Sequence, residues 1–229
     1  MKFLTRDGTS DANIFRSINE PQFNEYRLPE IFKGTETIID IGMHIGSFSY
    51  ACLSKGAKIV VGFEAWKENY ELAIQNLKHF NNGIQTENAV WRSDIENTTV
   101  YFNKSIDVGN TGGGNVIFQT EGISVATVSL DHIIELYGPI DLMKLDCEGS
   151  EFPILFTCTE LDKVKNICGE YHEMGGRYNP LCEIPLTSQV GEYKEYTIKE
   201  LTEFLESKGF KVESYRHGSS NLGMFFATR

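Results

Sequence analysis

The stretch Thr37-Ile38-Ile39-Asp40-Ile41-Gly42-Met43-His44-Ile45-Gly46-Ser47 decides the fold. Thr37 to Ile41 is apolar and β-branched except for Asp40, the pattern of a parallel strand covered on both faces. Gly42 and Gly46 allow a sharp turn and a close approach of backbone to ligand. Ser47 stands where it would cap a helix carrying Phe48, Ala51 and Cys52. A helix that starts beyond a strand's carboxyl end offers free N–H groups to a ligand. The loop departs from the dinucleotide pattern G-x-G-x-x-G, because His44 replaces the glycine that admits a pyrophosphate. Asp40 would also repel a phosphate and suits a ligand with a cationic group. A tight turn without a ligand is the plainer alternative.

Working outward, Lys58 to Glu64 reads as a second buried strand, with Glu64 at its carboxyl end. Glu64 follows Asp40 at nearly the ~20-residue spacing of an acid that grips a ribose diol. The alternative is a carboxylate facing the next helix's dipole. That helix is set by Tyr70, Ala73, Ile74, Leu77 and Phe80 at helical spacing. Ile84 to Val90 reads as a third strand, Thr98 to Phe102 as an extra one, and Val125 to Leu130 as another. Asp131 then caps a short helix ending near Gly138. Between these strands, Val108 to Asn115 carries four glycines, which suits either a hairpin turn or a lid over a substrate.

The second dense region is Ile140-Asp141-Leu142-Met143-Lys144-Leu145-Asp146-Cys147-Glu148-Gly149-Ser150-Glu151. Alternation puts Lys144, Asp146 and Glu148 on one side while the chain stays extended. Charges this close to a buried strand are costly unless paired or used. The plainer reading is a salt-bridged strand end, Lys144 with Asp146. Val164 to Glu173 is a further strand, with Glu170 and His172 on one face. Ile198, Leu201, Phe204 and Leu205 make an amphipathic helix that Gly209 ends. Phe210 to Tyr215 and Leu222 to Thr228 read as two closing strands.

A chain of 229 residues fits one α/β domain with small additions. Residues 1–33 read as an arm or cap without chemistry of its own. Residues 34–229 read as the main domain, with an irregular insertion at about 174–196. No membrane span is expected, because no run of ~18 apolar residues occurs. The first residues lack the apolar stretch of a signal peptide. Five cysteines without a C-x-x-C pair suit reduced thiols and a cytoplasmic protein. A formal net charge of -11 opposes nucleic-acid binding. Oligomeric state is left open.

The segments "IIDIGMHIGSFS", "VVGFEAWKENYELAIQNL" and "IDLMKLDCEGSEFPIL" resemble the FkbM family of S-adenosylmethionine-dependent methyltransferases. The likeness runs from roughly Tyr26 to His172, and K-x-D-x-E-G-x-E is its most specific part. The resemblance implies a Rossmann-like, class I, doubly wound sheet of seven mostly parallel strands, the last antiparallel. It implies S-adenosyl-L-methionine as cofactor and S-adenosyl-L-homocysteine as product. It also implies transfer to a hydroxyl of a sugar or glycan, a lipid, a secondary metabolite or another small molecule.

By position, Asp40, Gly42 and Gly46 would line the cofactor's methionine part. His44 stands in the same loop, where the family often has "GAN" and this chain has Met43 and His44. Glu64 would hold the ribose, Asn88 and Ala89 would lie beside adenine, and Asp146 would sit near the reactive methyl. His172 and Asp146 are the candidate proton acceptors, with Lys144 beside them in the catalytic group. The sequence assigns no metal ligands. A hard divalent cation held by Asp146, Glu148, Glu151 and Glu170 is the lesser reading. The alternatives are an N-methyltransferase on an amide or amine, a nicotinamide-dependent oxidoreductase, and a non-catalytic nucleotide-binding protein.

Overall fold

A computed structural model describes residues 2–95, 98–105, 107–117 and 121–229; Met1, the first residue of the arm, lies outside that set. In chain order the elements are α1 (Asp11–Asn19), β1 (Thr37–Ile41), α2 (Ser47–Ser54), β2 (Ile59–Phe63), α3 (Lys67–Leu77) and β3 (Gly83–Thr86). Then come β4 (Ala89–Trp91), β5 (Thr99–Phe102), β6 (Ile123–Ser129), α4 (Leu130–Tyr137), β7 (Leu142–Leu145) and α5 (Glu151–Thr157). The chain closes with β8 (Asn166–His172), α6 (Ile198–Ser207), β9 (Lys211–Arg216) and β10 (Leu222–Thr228).

The main sheet has seven strands in the order β3-β2-β1-β7-β8-β10-β9. Only β10 runs against its neighbours, pairing antiparallel with both β8 and β9. The fold class is therefore the one implied by the sequence, a seven-stranded, mostly parallel α/β sheet. The apolar runs of β1 and β2 are covered on both sides by separate cores, one around Ile39, Val61 and Leu145, the other around Ile38, Phe48 and Val60. From β1 the strand order runs outward both ways, to β2 on one side and to β7 on the other. A crevice opens at the carboxyl ends of strands where the order reverses in this way.

Three local details differ from the sequence reading. Ile84 to Val90 is not one strand: β3 belongs to the main sheet, and β4 pairs with β6 in a separate sheet of three strands, β4-β6-β5. The break falls at Glu87 and Asn88, where the Asn88 side chain donates to the Ala126 carbonyl. Ser129, not Asp131, caps α4, its hydroxyl accepting from the His132 N–H. Asp131 instead accepts from the backbone and hydroxyl of Thr159. The N-cap of α2 is Gly46 at φ 87°, and the Ser47 hydroxyl makes no capping bond.

The first residues are an integral part of the core. Ile18, Tyr26 and Leu28 are buried in the cluster around Phe48, and the Asn19 side chain donates to the Ser47 carbonyl. Among the described residues, no helix is long and apolar enough to cross a membrane.

Candidate active site

A cavity of about 490 Å³ lies at the carboxyl ends of β1, β2, β7 and β8. That is within the usual range for small-molecule sites. Gly42, His44, Glu64, Asn88, Ala89, Lys144, Asp146 and His172 all stand on its wall, although they are spread over 130 positions of sequence. Asp40 and Gly46 do not. Both belong to the layer behind it. Asp40 is fully buried and accepts from the Ser49 hydroxyl at 2.6 Å. Its register partner across the β1–β7 ladder is Lys144, whose Nζ lies 3.4 Å from Asp40 Oδ1. A Cβ on Gly46 would press on Leu77, so this glycine serves the packing of α2 on α3.

Gly42 has a packing role beside its place on the cavity wall. It has φ +75°, and a Cβ there would overlap the Asp146 carbonyl. Its smallness lets the loop after β1 press against the loop after β7, and so fixes the floor of the cavity. Lys144 fastens the same junction. Its ammonium donates to the Gly42 carbonyl at 2.6 Å and lies 3.8 Å from Asp146 Oδ2. Burial opposes its charge, but Asp40 and Asp146 outweigh that and raise its pKa to about 12. An ammonium held this way ties two loops and cannot accept a proton at neutral pH. Lys144, named from sequence in the catalytic group, stands on the cavity wall with its ammonium bonded to that junction.

Glu64 accepts from the His44 N–H at 2.7 Å and from the Trp66 N–H at 2.8 Å. Burial pushes its pKa up to about 7, against the pull of those two bonds. One end of the cavity is closed by the arm and the glycine-rich loop. His44 Nε2 lies 2.9 Å from Thr111 Oγ1, and that hydroxyl donates to Asp11 Oδ1. Asp11 also takes bonds from the Arg6 backbone and guanidinium. Ser10 N–H donates to the Gly109 carbonyl, and Asn69 to that of Thr111. The glycine-rich segment is thus held down over the site. Asp11, Arg6, Tyr26 and Thr111 were not legible as site residues, because nothing in local spacing marks them.

The other end is acidic. His172 Nε2 lies 3.4 Å from Glu148 Oε2 and 3.4 Å from Glu170 Oε2, and its Nδ1 lies 3.4 Å from Glu151 Oε1. Burial favours the neutral ring, but these carboxylates outweigh it and hold the imidazole pKa well above its ordinary value. Glu148, itself buried among like charges, is pushed up to about 7. These carboxylates favour the protonated ring, the form that gives a proton rather than taking one. Tyr26 reaches in from the arm and donates its hydroxyl to Asp146 Oδ2 at 2.9 Å. The oxygen-only metal set read from sequence is also rearranged: Glu148 and Glu170 flank His172, while Asp146 and Glu151 converge with it.

Several buried polar atoms on the wall have no partner among the described residues: His44 Nδ1, Ser47 Oγ, Asn115 Oδ1, Ser150 Oγ and His172 Nδ1. Buried polar atoms are seldom left unbonded, so a wall with several of them is built for a polar ligand.

A family model described as the methyltransferase FkbM domain matches residues 40–212. No curated protein matches the chain. Among solved structures, an rRNA methylase from Streptococcus thermophilus superposes with a TM-score of 0.50 at 10% identity, over 93% of this chain and 98% of that one. A precorrin-6y C5,15-methyltransferase from Geobacter metallireducens gives 0.46 at 14%, over 100% and 91%. A SAM-dependent methyltransferase from Aquifex aeolicus gives 0.46 at 12%, over 97% and 98%. At such identities the likeness is one of fold.

Proposed function

The chain belongs to the FkbM methyltransferase family, and on that premise we propose that it methylates a hydroxyl oxygen of a small molecule, a sugar or glycan, or a secondary metabolite. It is an S-adenosylmethionine-dependent methyltransferase. The cofactor supplies an already activated methyl group on a sulfonium. The protein's part is to align the acceptor, exclude water and take up a proton.

The residues present suit that cofactor. Glu64 keeps lone pairs free for ribose hydroxyls beyond its two backbone bonds. Asn88 and Ala89 stand on the wall where adenine would lie, beside the β3–β4 break. The unpartnered His44 Nδ1 and Ser47 Oγ offer polar contacts to the amino-acid end. Asp146, directly after β7 on the cavity wall, would sit near the reactive methyl.

The observation that carries the choice of oxygen is the ring of carboxylates around the acceptor end: Asp146, Glu148 and Glu170 all line the cavity. An amine in that field is held as its ammonium, which has no lone pair to give. A hydroxyl is neutral and needs a proton acceptor, which a cavity-lining carboxylate supplies. His172, turned to Glu148, Glu151 and Glu170, orients that group. The net charge of -11 supports a small-molecule or saccharide acceptor over nucleic acid. The five free thiols support a reducing compartment such as the cytoplasm.

The test is a pool of hydroxylated metabolites and saccharides incubated with the protein and S-adenosylmethionine. Formation of S-adenosylhomocysteine with one methyl gained on oxygen is the expected outcome. A methyl gained on nitrogen in every product would sink the oxygen assignment.

A further inference from the structure

We infer that Asp146, Glu151 and His172 form a binding site for a divalent first-row transition cation on the acceptor side of the cavity. One carboxylate oxygen from each acid and a ring nitrogen of His172 lie within 4.8 Å of one another. Such a set can close around a single ion. Regular elements bring them together: Asp146 directly follows β7, Glu151 opens α5, and His172 ends β8.

The ring is the independent sign of a ligand. His172 is only 8% exposed, and its Nδ1 has no hydrogen-bond partner among the described residues although it is buried. That nitrogen is aimed at Glu151 Oε1, 3.4 Å away. On the far side, Nε2 faces Glu148 and Glu170, each at 3.4 Å. Histidine ligands of metals commonly give their other N–H to a carboxylate, which fixes the tautomer and leaves the inner nitrogen free for the ion.

The two acids are oriented just as firmly. Glu151 is fully buried and takes the backbone N–H groups of Cys147 and Gly149 at 2.6 and 2.8 Å. Among the described residues its only cationic neighbour is His172. A buried carboxylate is costly unless hydrogen-bonded and paired with a cation, and a metal ion would add to the pairing that His172 gives. Asp146 is held by the Tyr26 hydroxyl and keeps its second oxygen for the ion. Two carboxylates match the charge of a divalent cation. One imidazole among them favours Mn²⁺ to Zn²⁺ over Mg²⁺ or Ca²⁺. Asp146 and His172 line the cavity, so an ion held there would be within reach of an acceptor oxygen; that role rests on the O-methyl reading, whereas the ion's binding does not.

The experiment uses the full chain, free of any histidine tag and stripped with chelator, titrated with Mn²⁺ alone. Electron paramagnetic resonance follows the free ion, and spin-echo modulation detects a bound imidazole nitrogen. The expected result is one ion per chain with nitrogen modulation. Asp146→Asn should weaken binding by about 10- to 100-fold or more, and His172→Gln should do the same and remove the modulation. Circular dichroism checks that each variant is folded, and Asp146→Asn, with its side chain on the cavity wall, stands alone if His172→Gln is not. Binding that is only millimolar, unchanged in the folded variants, or without nitrogen modulation overturns the site. Calorimetry with S-adenosylhomocysteine is run in parallel, so a failed metal site and a failed cofactor site give different results.

Discussion

The two ends of the cavity each place a histidine against carboxylates, at the same 8% exposure, and charge it in opposite ways. His44 lies 3.3 Å from Asp11 Oδ1, yet its pKa is lowered. Burial dominates, and Arg6 and Lys144 oppose a second positive charge against the pull of Asp11. Asp11 is already matched by the Arg6 guanidinium at 2.9 Å. Among the described residues His172 has no such arginine or lysine, and three carboxylates face it. Burial alone therefore does not decide the charge of a ring; the balance of its neighbours does. The arm end is a neutral hydrogen-bonded clasp, His44 to Thr111 to Asp11. The acidic end gathers carboxylates around His172, with Lys144 near Asp146 and His217 beside Glu170.

The sharpest way to break this comparison is to remove the hub of the clasp. Asp11→Ala leaves the Arg6 guanidinium, the Thr111 hydroxyl and the His44 ring without their shared acceptor. A hydrogen bond to a charged group is worth about 1.5–3 kcal/mol, and Arg6, 27% exposed, is left partly solvated, so the total is about 3 kcal/mol. Urea unfolding should show a loss of that order. A loss under ~1 kcal/mol, as for a surface pair, would mean that the clasp does not hold the arm.

Glu64, between the two ends, tests burial on its own. Its carboxyl pKa rises from 4.5 to about 7, so the folded chain holds a proton there that the unfolded chain has released. Stability from this group is therefore highest below pH 4.5, falls as pH rises, and is fully lost above about pH 7. Glu64→Gln should stabilise the free protein at pH 8, by at most about 3 kcal/mol, and gain nothing at pH 4. The same change should weaken S-adenosylmethionine binding by roughly ten- to a hundredfold in calorimetry. Unchanged affinity in the folded variant would remove Glu64 from the ribose site.

A finer test sets the two rings side by side in chelator-treated protein. The His172 pKa is raised, so its contribution is complete below about pH 6.5 and lost as pH climbs through the folded value. His172→Gln should cost most near pH 6 and least in alkali. The His44 pKa is lowered, so the folded state resists a proton that the unfolded chain accepts as pH falls below about 6.5. His44→Gln should then lose less stability at pH 5 than at pH 8. The two variants are compared by the sign of their pH dependence in urea unfolding. Parallel pH profiles for the two variants would collapse the distinction.

Much of the sheet was legible because buried parallel strands are written as continuous apolar runs, as in Ile38–Ile41 and Ile59–Phe63. The β3–β4 break was not, since Thr86 to Ala89 has no glycine or proline to mark a change of sheet. At the site, residues at strand ends could be found: Glu64, Asp146 and His172 each follow an apolar run. Their chemistry could not. The charge of His172 depends on Glu148 and Glu151, more than 20 positions away. The clasp joins Asp11, His44 and Thr111, which only the finished fold brings together. Gly42 was found from its spacing, but its close approach to the Asp146 backbone was not legible.

The smallest effect expected is at the one place where the arm touches the acidic end. Tyr26 packs its ring edge-on against Phe48, with centroids 5.3 Å apart, and gives its hydroxyl to Asp146 Oδ2. Tyr26→Phe keeps the ring and removes the bond, at a cost of about 1 kcal/mol. If the arm is only a structural cover, that loss of stability is the whole effect. If Tyr26 holds Asp146 in place, turnover with the acceptor identified in the pool assay should also fall several-fold, while S-adenosylmethionine affinity changes little. The two explanations separate in a double-mutant cycle. In an Asp146→Asn background, Tyr26→Phe should reduce turnover no further, because the carboxylate it orients is already gone. Full additivity of the two changes would show that Tyr26 acts on the reaction by another route.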